Sequence, residues 1–158
     1  MSHLKFMVDI NVGNLAKWLR IMGFDALLSN YKDDNQMIIT ALSEDRILLT
    51  RDTQLMKRRI ITSGYLKAIL IHSDDPEQQM KQLISRIKFA NNIKPFSICL
   101  ECNQPLGGKD KEQIRDKVPH YVLETQSQFK QCPSCYRIYW RGTHWERMKN
   151  KLEDLIND

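Results

Sequence analysis

Two hydrophobic rhythms alternate along the first ninety residues. Residues 4–8 (LKFMV) are a short apolar run that predicts a strand, and Leu15, Trp18, Leu19 and Met22 then recur at i, i+3, i+4 and i+7, the spacing of a helix with one buried stripe. Gly23 stands where such a helix ends. Residues 26–28 predict a second strand, Met37, Ile38, Ala41 and Leu42 stripe a second helix, and residues 47–49 read as a third strand. A third helix is expected over 53–61 and a fourth strand over "KAILI". Met80, Leu83, Ile84 and Ile87 mark a fourth helix, which Asp75-Pro76 would open with a side-chain acceptor and a proline in the first turn. Strands alternating with helices imply an α/β fold with an open parallel sheet covered on both faces. Ligands of such sheets lie beyond the carboxyl ends of the strands.

The rhythm stops around "NNIKPFS". Residues 95–142 carry no sustained helical stripe but hold all four cysteines, and from Trp145 the pattern returns with Met148, Leu152, Leu155 and Ile156. Arg147, Lys149 and Lys151 lie on the other side of that closing amphipathic helix. We expect two units, a sheet core over residues 1–92 and a cysteine-bearing annex with the closing helix over 93–158.

The cysteines form two Cys-x-x-Cys pairs, Cys99/Cys102 in "CLEC" and Cys132/Cys135 in "CPSC", with 29 residues between them. Each pair turns two thiolates toward one point, and two such loops complete a sulfur tetrahedron suited to Zn²⁺. Four thiolates leave no position open for water, so this zinc is expected to be structural. The alternative, four unrelated core or redox cysteines, fits the paired spacing less well. Reduced thiols in pairs, an amino-terminal stretch broken early by Asp9, and no apolar run long enough to span a bilayer lead us to expect a cytoplasmic protein with no membrane partner.

Charge permits a polyanionic partner without requiring one. The chain carries +5 overall, with 13 basic against 10 acidic residues up to residue 90 and 11 against 9 beyond it, so there is no basic tail. Basic residues must be read locally. Arg51 lies beside Asp52 and is either a phosphate contact or a partner for a neighbouring carboxylate; Lys57 and Arg58 belong to a basic run, and Arg141 to "YRIYWRGTHWERMK", where cations alternate with aromatics. Single-stranded RNA binds such surfaces through phosphates and base stacking, whereas Trp140 and Trp145 equally suit packing against the closing helix.

Asp9, Asp34 and Asp52 each fall just after a predicted strand or at the start of the helix behind it, positions that a parallel sheet gathers along one edge. Like charges crowded in this way repel, an arrangement that makes sense chiefly around a divalent cation, and carboxylate oxygens suit Mg²⁺ or Mn²⁺. Asp34 and Asp52 also stand where helix caps belong. Asp9 does not, because Asn11 and Asn14 are better placed to cap the next helix.

"FMVDINVGNLAKWLRIMGFD", "DDNQMIITALSEDRILLTRD" and "CPSCYRIYWRGTHW", in this order, resemble the PIN-like RNase family of the mut-seven C-terminal type, from about residue 4 to 149. The resemblance implies a PIN-type nuclease core followed by a zinc ribbon. It matches Asp9 to the acidic residue after the first strand, Asp34 to the one opening the helix before the "TRD" strand, and Asp52 to the aspartate of "TRD" itself, residues that in PIN enzymes hold divalent metal for RNA hydrolysis. Two departures stand out. The 24 residues between Asp9 and Asp34 contain Asp25 and Asp33 but no glutamate, leaving Asp33 or Asp74 to complete a second metal position, or a single metal. Tyr136 replaces the glycine that commonly follows the second cysteine pair.

The leading expectation is therefore an Mg²⁺- or Mn²⁺-dependent ribonuclease acting on single-stranded RNA, its zinc ribbon aiding RNA binding. The alternative is a non-catalytic RNA-binding or protein-recruiting module whose aspartates are caps. A phosphatase is disfavoured, since no Asp-x-Asp or nucleophile motif follows the first strand.

Overall fold

Each of the four predicted strands forms. The computed structural model describes residues 4–89 and 93–157; residue 92, on which the predicted boundary falls, lies outside them. Strands β1 (Lys5–Val8), β2 (Asp25–Leu28), β3 (Ile47–Thr50) and β4 (Ala68–Leu70) pair in parallel in the order β2-β1-β3-β4. Alternation along the strands splits their side chains between two helical layers. Phe6, Val8 and Leu49 face α1 (Asn14–Ile21), α4 (Pro76–Arg86) and α7 (Thr143–Asn157), packing with Leu15, Leu19, Met80, Leu83, Leu152 and Leu155. Met7 and Leu48 face α2 (Asp34–Ser43) and the short α3 (Arg59–Thr62), packing with Met37, Ile38, Ala41 and Ile61. The closing helix thus completes the core of the sheet.

Asp75 caps α4 by accepting the Gln78 N–H at 3.0 Å, with Pro76 in the first turn, as the sequence predicts. The helix expected over 53–61 is instead divided into a 3₁₀ turn, Leu55–Lys57, and α3, because Arg58 between them is extended. Among the described residues no helix is long and apolar enough to cross a membrane.

The cysteine-bearing segment forms a second sheet, antiparallel, of β5 (Gly107–Lys109), β6 (Phe129–Gln131) and β7 (Ile138–Tyr139). Between β5 and β6 lie two short helices, α5 (Lys111–Ile114) and α6 (His120–Thr125), and Ile114, Val122 and Phe129 form a small buried cluster of their own.

The ribbon docks at the amino ends of the parallel strands. The Lys94 N–H donates to the Met22 carbonyl at 2.8 Å, and the Lys94 carbonyl oxygen lies 2.2 Å from where a Cβ on Gly23 (φ 91°) would stand, so only glycine fits. Asn103 accepts the Ala26 N–H at 2.9 Å and donates to Asp25 at 2.6 Å, while the buried Arg20 donates to the carbonyls of Ala26 (3.0 Å) and Leu100 (2.7 Å). Arg46 grips the other side of Asp25 at 2.7 and 3.3 Å and donates to the Phe6 carbonyl at 3.1 Å. Burial pushes the Asp25 carboxyl up, but the hydrogen bonds from Arg46 and Asn103 outweigh it and hold the group below the usual carboxylate range.

Candidate active site and metal centre

From β1 the chain runs to β2 on one side and then crosses to β3 on the other, so the topology reverses between β1 and β3. In open parallel sheets the ligand crevice opens at the carboxyl ends of such a pair. Asp9 follows β1 there, its N–H bonded to the Leu49 carbonyl at 2.9 Å. Thr50, the last residue of β3, is fully buried. Its hydroxyl donates to Asp9 Oδ2 at 2.7 Å and accepts the Asp52 N–H at 3.0 Å, tying the loops after both strands to one oxygen. Asn11 adds a second tie, donating to Asp9 Oδ2 at 3.3 Å and accepting the Arg51 N–H at 3.1 Å. Sequence reasoning passed over both residues as site components, although a polar Thr50 at the buried end of an apolar strand was the available signal.

Two of the three capping roles, those of Asp34 and Asp9, fall differently from expectation. Asp33, not Asp34, caps α2, accepting the Gln36 N–H at 3.1 Å, which leaves Asp34 in the first turn free of that duty. Asp9, expected to be no cap, accepts the Ile10 N–H at 2.8 Å and caps a 3₁₀ turn, Ile10–Val12, because the chain coils as soon as it leaves β1. Asp52 accepts the N–H groups of Gln54 (2.9 Å) and Leu55 (3.1 Å), both on Oδ1, so that among the described residues Oδ2 has no hydrogen-bond partner. Asp34 Oδ2 lies 3.8 Å from Arg58 Nη2, and Arg58 also donates to Asn35. Asp25 is bound up at the opposite end of the sheet and so does not replace the missing glutamate; Asp33 caps α2 through Oδ1, and Asp74 is exposed in the loop before α4.

Asp9 and Asp52 are thus linked through Thr50, and Asp34 stands in the first turn of α2 with Arg58 3.8 Å away. Among the described residues the four cysteines are the one set of three or more His, Cys, Asp or Glu side chains with ligand atoms within 4.8 Å of one another, and the three aspartates form no set that tight. Mg²⁺ does not demand one. It usually binds through one or two carboxylates, keeping waters and substrate phosphate in its other positions, and Asp9 with Asp52 fits that donor set. Of the candidate substrate contacts, Arg51 and Lys57 are exposed near this edge and Arg58 is engaged with α2. Arg141 stands with the ribbon instead, its guanidinium 5.1 Å from the ring centroids of both Phe96 and Trp145.

The cysteine quartet suits zinc on geometry as well as chemistry. Tetrahedral Zn–S bonds of ~2.3 Å put neighbouring sulfurs ~3.8 Å apart, and Cys99 Sγ lies 3.7 Å from Cys135 Sγ. Backbone N–H groups of Cys102 (3.4 Å), Ser134 (3.4 Å) and Cys135 (3.5 Å) point at the sulfurs of the first cysteine of each pair. The Tyr139 hydroxyl sits 3.1 Å from Cys99 Sγ, and burial followed by that contact pushes the phenol well above its ordinary range, which keeps it a neutral neighbour of the sulfur. A hydrogen bond with Cys135, reinforced by the other crowded sulfurs, pushes the Cys102 thiol up to about 12. A dication at the centre reverses that preference by stabilising all four thiolates.

Each pair closes with the residue after its second cysteine in the left-handed region, Asn103 at φ 62° and Tyr136 at φ 63°. The turn survives without glycine, the Tyr136 N–H still bonding the Cys132 carbonyl at 3.0 Å. Left-handed backbone costs a bulky residue on the order of 1 kcal/mol, and the Tyr136 side chain is largely exposed, with little packing to lose. Tyr136→Gly is therefore expected to raise the unfolding free energy of the zinc-loaded protein slightly, by roughly 0.5–1 kcal/mol, and with it the urea midpoint. A lower midpoint in urea titration would show that the tyrosine supports the ribbon.

No curated protein and no solved structure matches the chain. A match does come from the protein families, to the Mut7-C RNAse domain, over residues 4–152, a span that takes in the aspartate edge, the cysteine quartet and most of α7. With a parallel sheet, a cysteine ribbon and a match over nearly its whole length, the chain belongs to the Mut7-C RNAse domain family.

Proposed function

We propose that the protein is a divalent-metal-dependent ribonuclease that hydrolyses single-stranded RNA at the carboxyl edge of the parallel sheet, with Asp9, Asp34 and Asp52 as its acidic set. The observation that carries the reading is the buried Thr50 hydroxyl, which fixes Asp9 and the backbone of Asp52 on either side of the crevice, in a chain of an RNase family. Asp9 and Asp52 would hold Mg²⁺ or Mn²⁺ directly. A bound ion of this kind supplies an activated water and charge relief on the nonbridging phosphate oxygens.

The chain's own residues prepare that site. Thr50 and Asn11 orient the Asp9 carboxylate through Oδ2, Ile10 takes one site on Oδ1, the remaining Oδ1 lone pair is left for ligation, and Asp52 presents Oδ2. Arg58 steadies Asp34 at the start of α2 and keeps guanidinium donors for a phosphate. Arg51 and Lys57 offer exposed cations for the phosphates flanking the cut. The quartet of Cys99, Cys102, Cys132 and Cys135, saturated by zinc, serves stability rather than chemistry. On this reading residues 1–92 carry the hydrolytic edge and 93–158 the ribbon and closing helix, in a protein of the cytoplasm, where thiols stay reduced.

The test is incubation of zinc-loaded protein with a labelled single strand, with and without added Mg²⁺ or Mn²⁺. Cleavage only when the metal is added, and slower cleavage of a duplex of the same sequence, is the expected result. RNA left intact under every condition overturns the reading and favours the non-catalytic module, in which the hydrogen bonds accepted by Asp9 and Asp52 are simply caps.

A further inference from the structure

The junction of ribbon and closing helix carries cations and aromatics that the hydrolytic edge does not use. Lys130 Nζ lies 4.9 Å from the Phe96 ring centroid and donates to the Phe96 carbonyl at 2.6 Å. Arg141 covers both Phe96 and Trp145, whose rings meet edge to face at 5.8 Å, and Lys149 lies 5.7 Å from the Trp145 ring. The two rings are buried, so the cations form the outer surface of the stack. Lys130 and Arg141 make no carboxylate ion pair among the described residues; Lys149 is paired with Glu153 at 3.8 Å. Beside Lys130 and Arg141 opens a groove of about 460 Å³, with Lys109 and Asp110 also in its wall.

A second groove adjoins the same stack across Trp145. Its volume is about 640 Å³, and Tyr121, Tyr139, Trp140, Trp145 and His144 supply rings to its wall. Tyr121 is 67 % exposed, leaving a ring face open. Cations that lack carboxylate partners, next to an aromatic-walled groove, match the two requirements of a nucleic-acid single strand, phosphate neutralisation and base stacking. An acidic polypeptide would use the cations but not the rings. A rigid duplex would present phosphates but not bases.

We propose that this junction is an RNA exosite, where Lys130 and Arg141 contact backbone phosphates of a single strand and the Tyr121/Trp140 groove receives its bases. Because the ribbon docks at the amino ends of the strands, the exosite grips RNA at the opposite end of the sheet from Asp9 and Asp52. The proposal rests on the ribonuclease reading for its substrate class only. Binding at the exosite requires no cleavage.

The experiment is fluorescence anisotropy in the zinc-loaded Asp9→Asn protein, without added Mg²⁺ or Mn²⁺, using a labelled mixed-sequence RNA of about 20 nucleotides, long enough to cover an ordinary single-strand site. Arg141→Gln and Tyr121→Ala are each expected to weaken binding about fivefold or more, and Arg141→Gln to flatten the dependence of log K on log salt by about 0.7, one phosphate contact. Zinc content and melting temperature, unchanged, exclude a folding defect. Undiminished binding in both variants overturns the proposal, as does equal affinity for a duplex of the same length or for polyglutamate. The two readings fail separately, since a protein that cuts RNA but binds equally well without Arg141 and Tyr121 loses only the exosite, and one that binds through them but never cuts loses only the hydrolysis.

Discussion

Asp9→Asn is expected to lower metal-dependent RNA hydrolysis by on the order of 10³-fold while leaving the fold in place. The two effects separate because the carboxylate has two jobs of unequal size. Structurally it accepts hydrogen bonds from Ile10, Thr50 and Asn11. Asparagine keeps one accepting oxygen and turns the other position into a donor, so one of these contacts is lost or reversed at a half-buried site, at a cost of about 1 kcal/mol. For a chain of this size that shifts the melting temperature by roughly 2–4 °C. On the proposed mechanism, the substitution also removes a negative charge and a metal ligand where the nucleophilic water would be activated, and several kcal/mol of transition-state stabilisation would go with it. Initial rates on a labelled single strand, alongside a thermal melt, check both halves. A variant that retains more than a tenth of the parental rate would place the metal elsewhere and remove Asp9 from the mechanism.

The sheet was legible in the sequence because its strands are short continuous apolar runs, the central β1 and β3 being buried on both faces, while each covering helix shows one stripe. The cysteine quartet was legible for a different reason, since a tight loop fixes its own ligand spacing whatever surrounds it. What escaped was set by partners distant along the chain or by elements too short to have a period. The stripe on α7 says that the helix is buried, not that Leu152 and Leu155 complete the core beside Phe6. The 3₁₀ turn that makes Asp9 a cap is three residues long, and α5 and α6 span four and six, below the length at which periodicity can speak. Asp25, a bystander by sequence, joins Arg46 and Asn103 across 21 and 78 positions, a contact that only the folded register brings about. Thr50 was hidden in a similar way. Its importance lies in the hydroxyl it shares between two aspartates, and only the pairing of β1 with β3 puts Asp9 beside it.

Loss of zinc is expected to unfold the ribbon and to lower the melting temperature of the whole chain by roughly 6–20 °C, while the aspartate edge stays intact below the lowered melting temperature. A structural zinc site contributes on the order of 10 kcal/mol to the segment it closes, and here that segment has only Ile114, Val122 and Phe129 as its buried cluster. The damage reaches the core through named contacts, as Asn103 and Arg20 lose their ribbon-to-sheet hydrogen bonds and the Phe96–Trp145 pair that starts α7 comes apart. If those contacts contribute about 3–5 kcal/mol together, a shift of roughly 2–4 °C per kcal/mol gives the expected change. Cys132→Ala, which removes a fully buried ligand, should reproduce the effect, and added Zn²⁺ should rescue chelator-treated parent protein but not the variant. Hydrogen exchange supplies the spatial check, with protection lost at β5, β6 and β7 before β1 and β3. Melting and exchange that stay unchanged after the metal is stripped would mean that the quartet is not what holds the ribbon. If both proposals hold, activity then divides by substrate: an RNA short enough to reach only the carboxyl edge of the sheet should still be cut by the zinc-free protein at low temperature, whereas a long strand should lose the affinity that the proposed exosite adds.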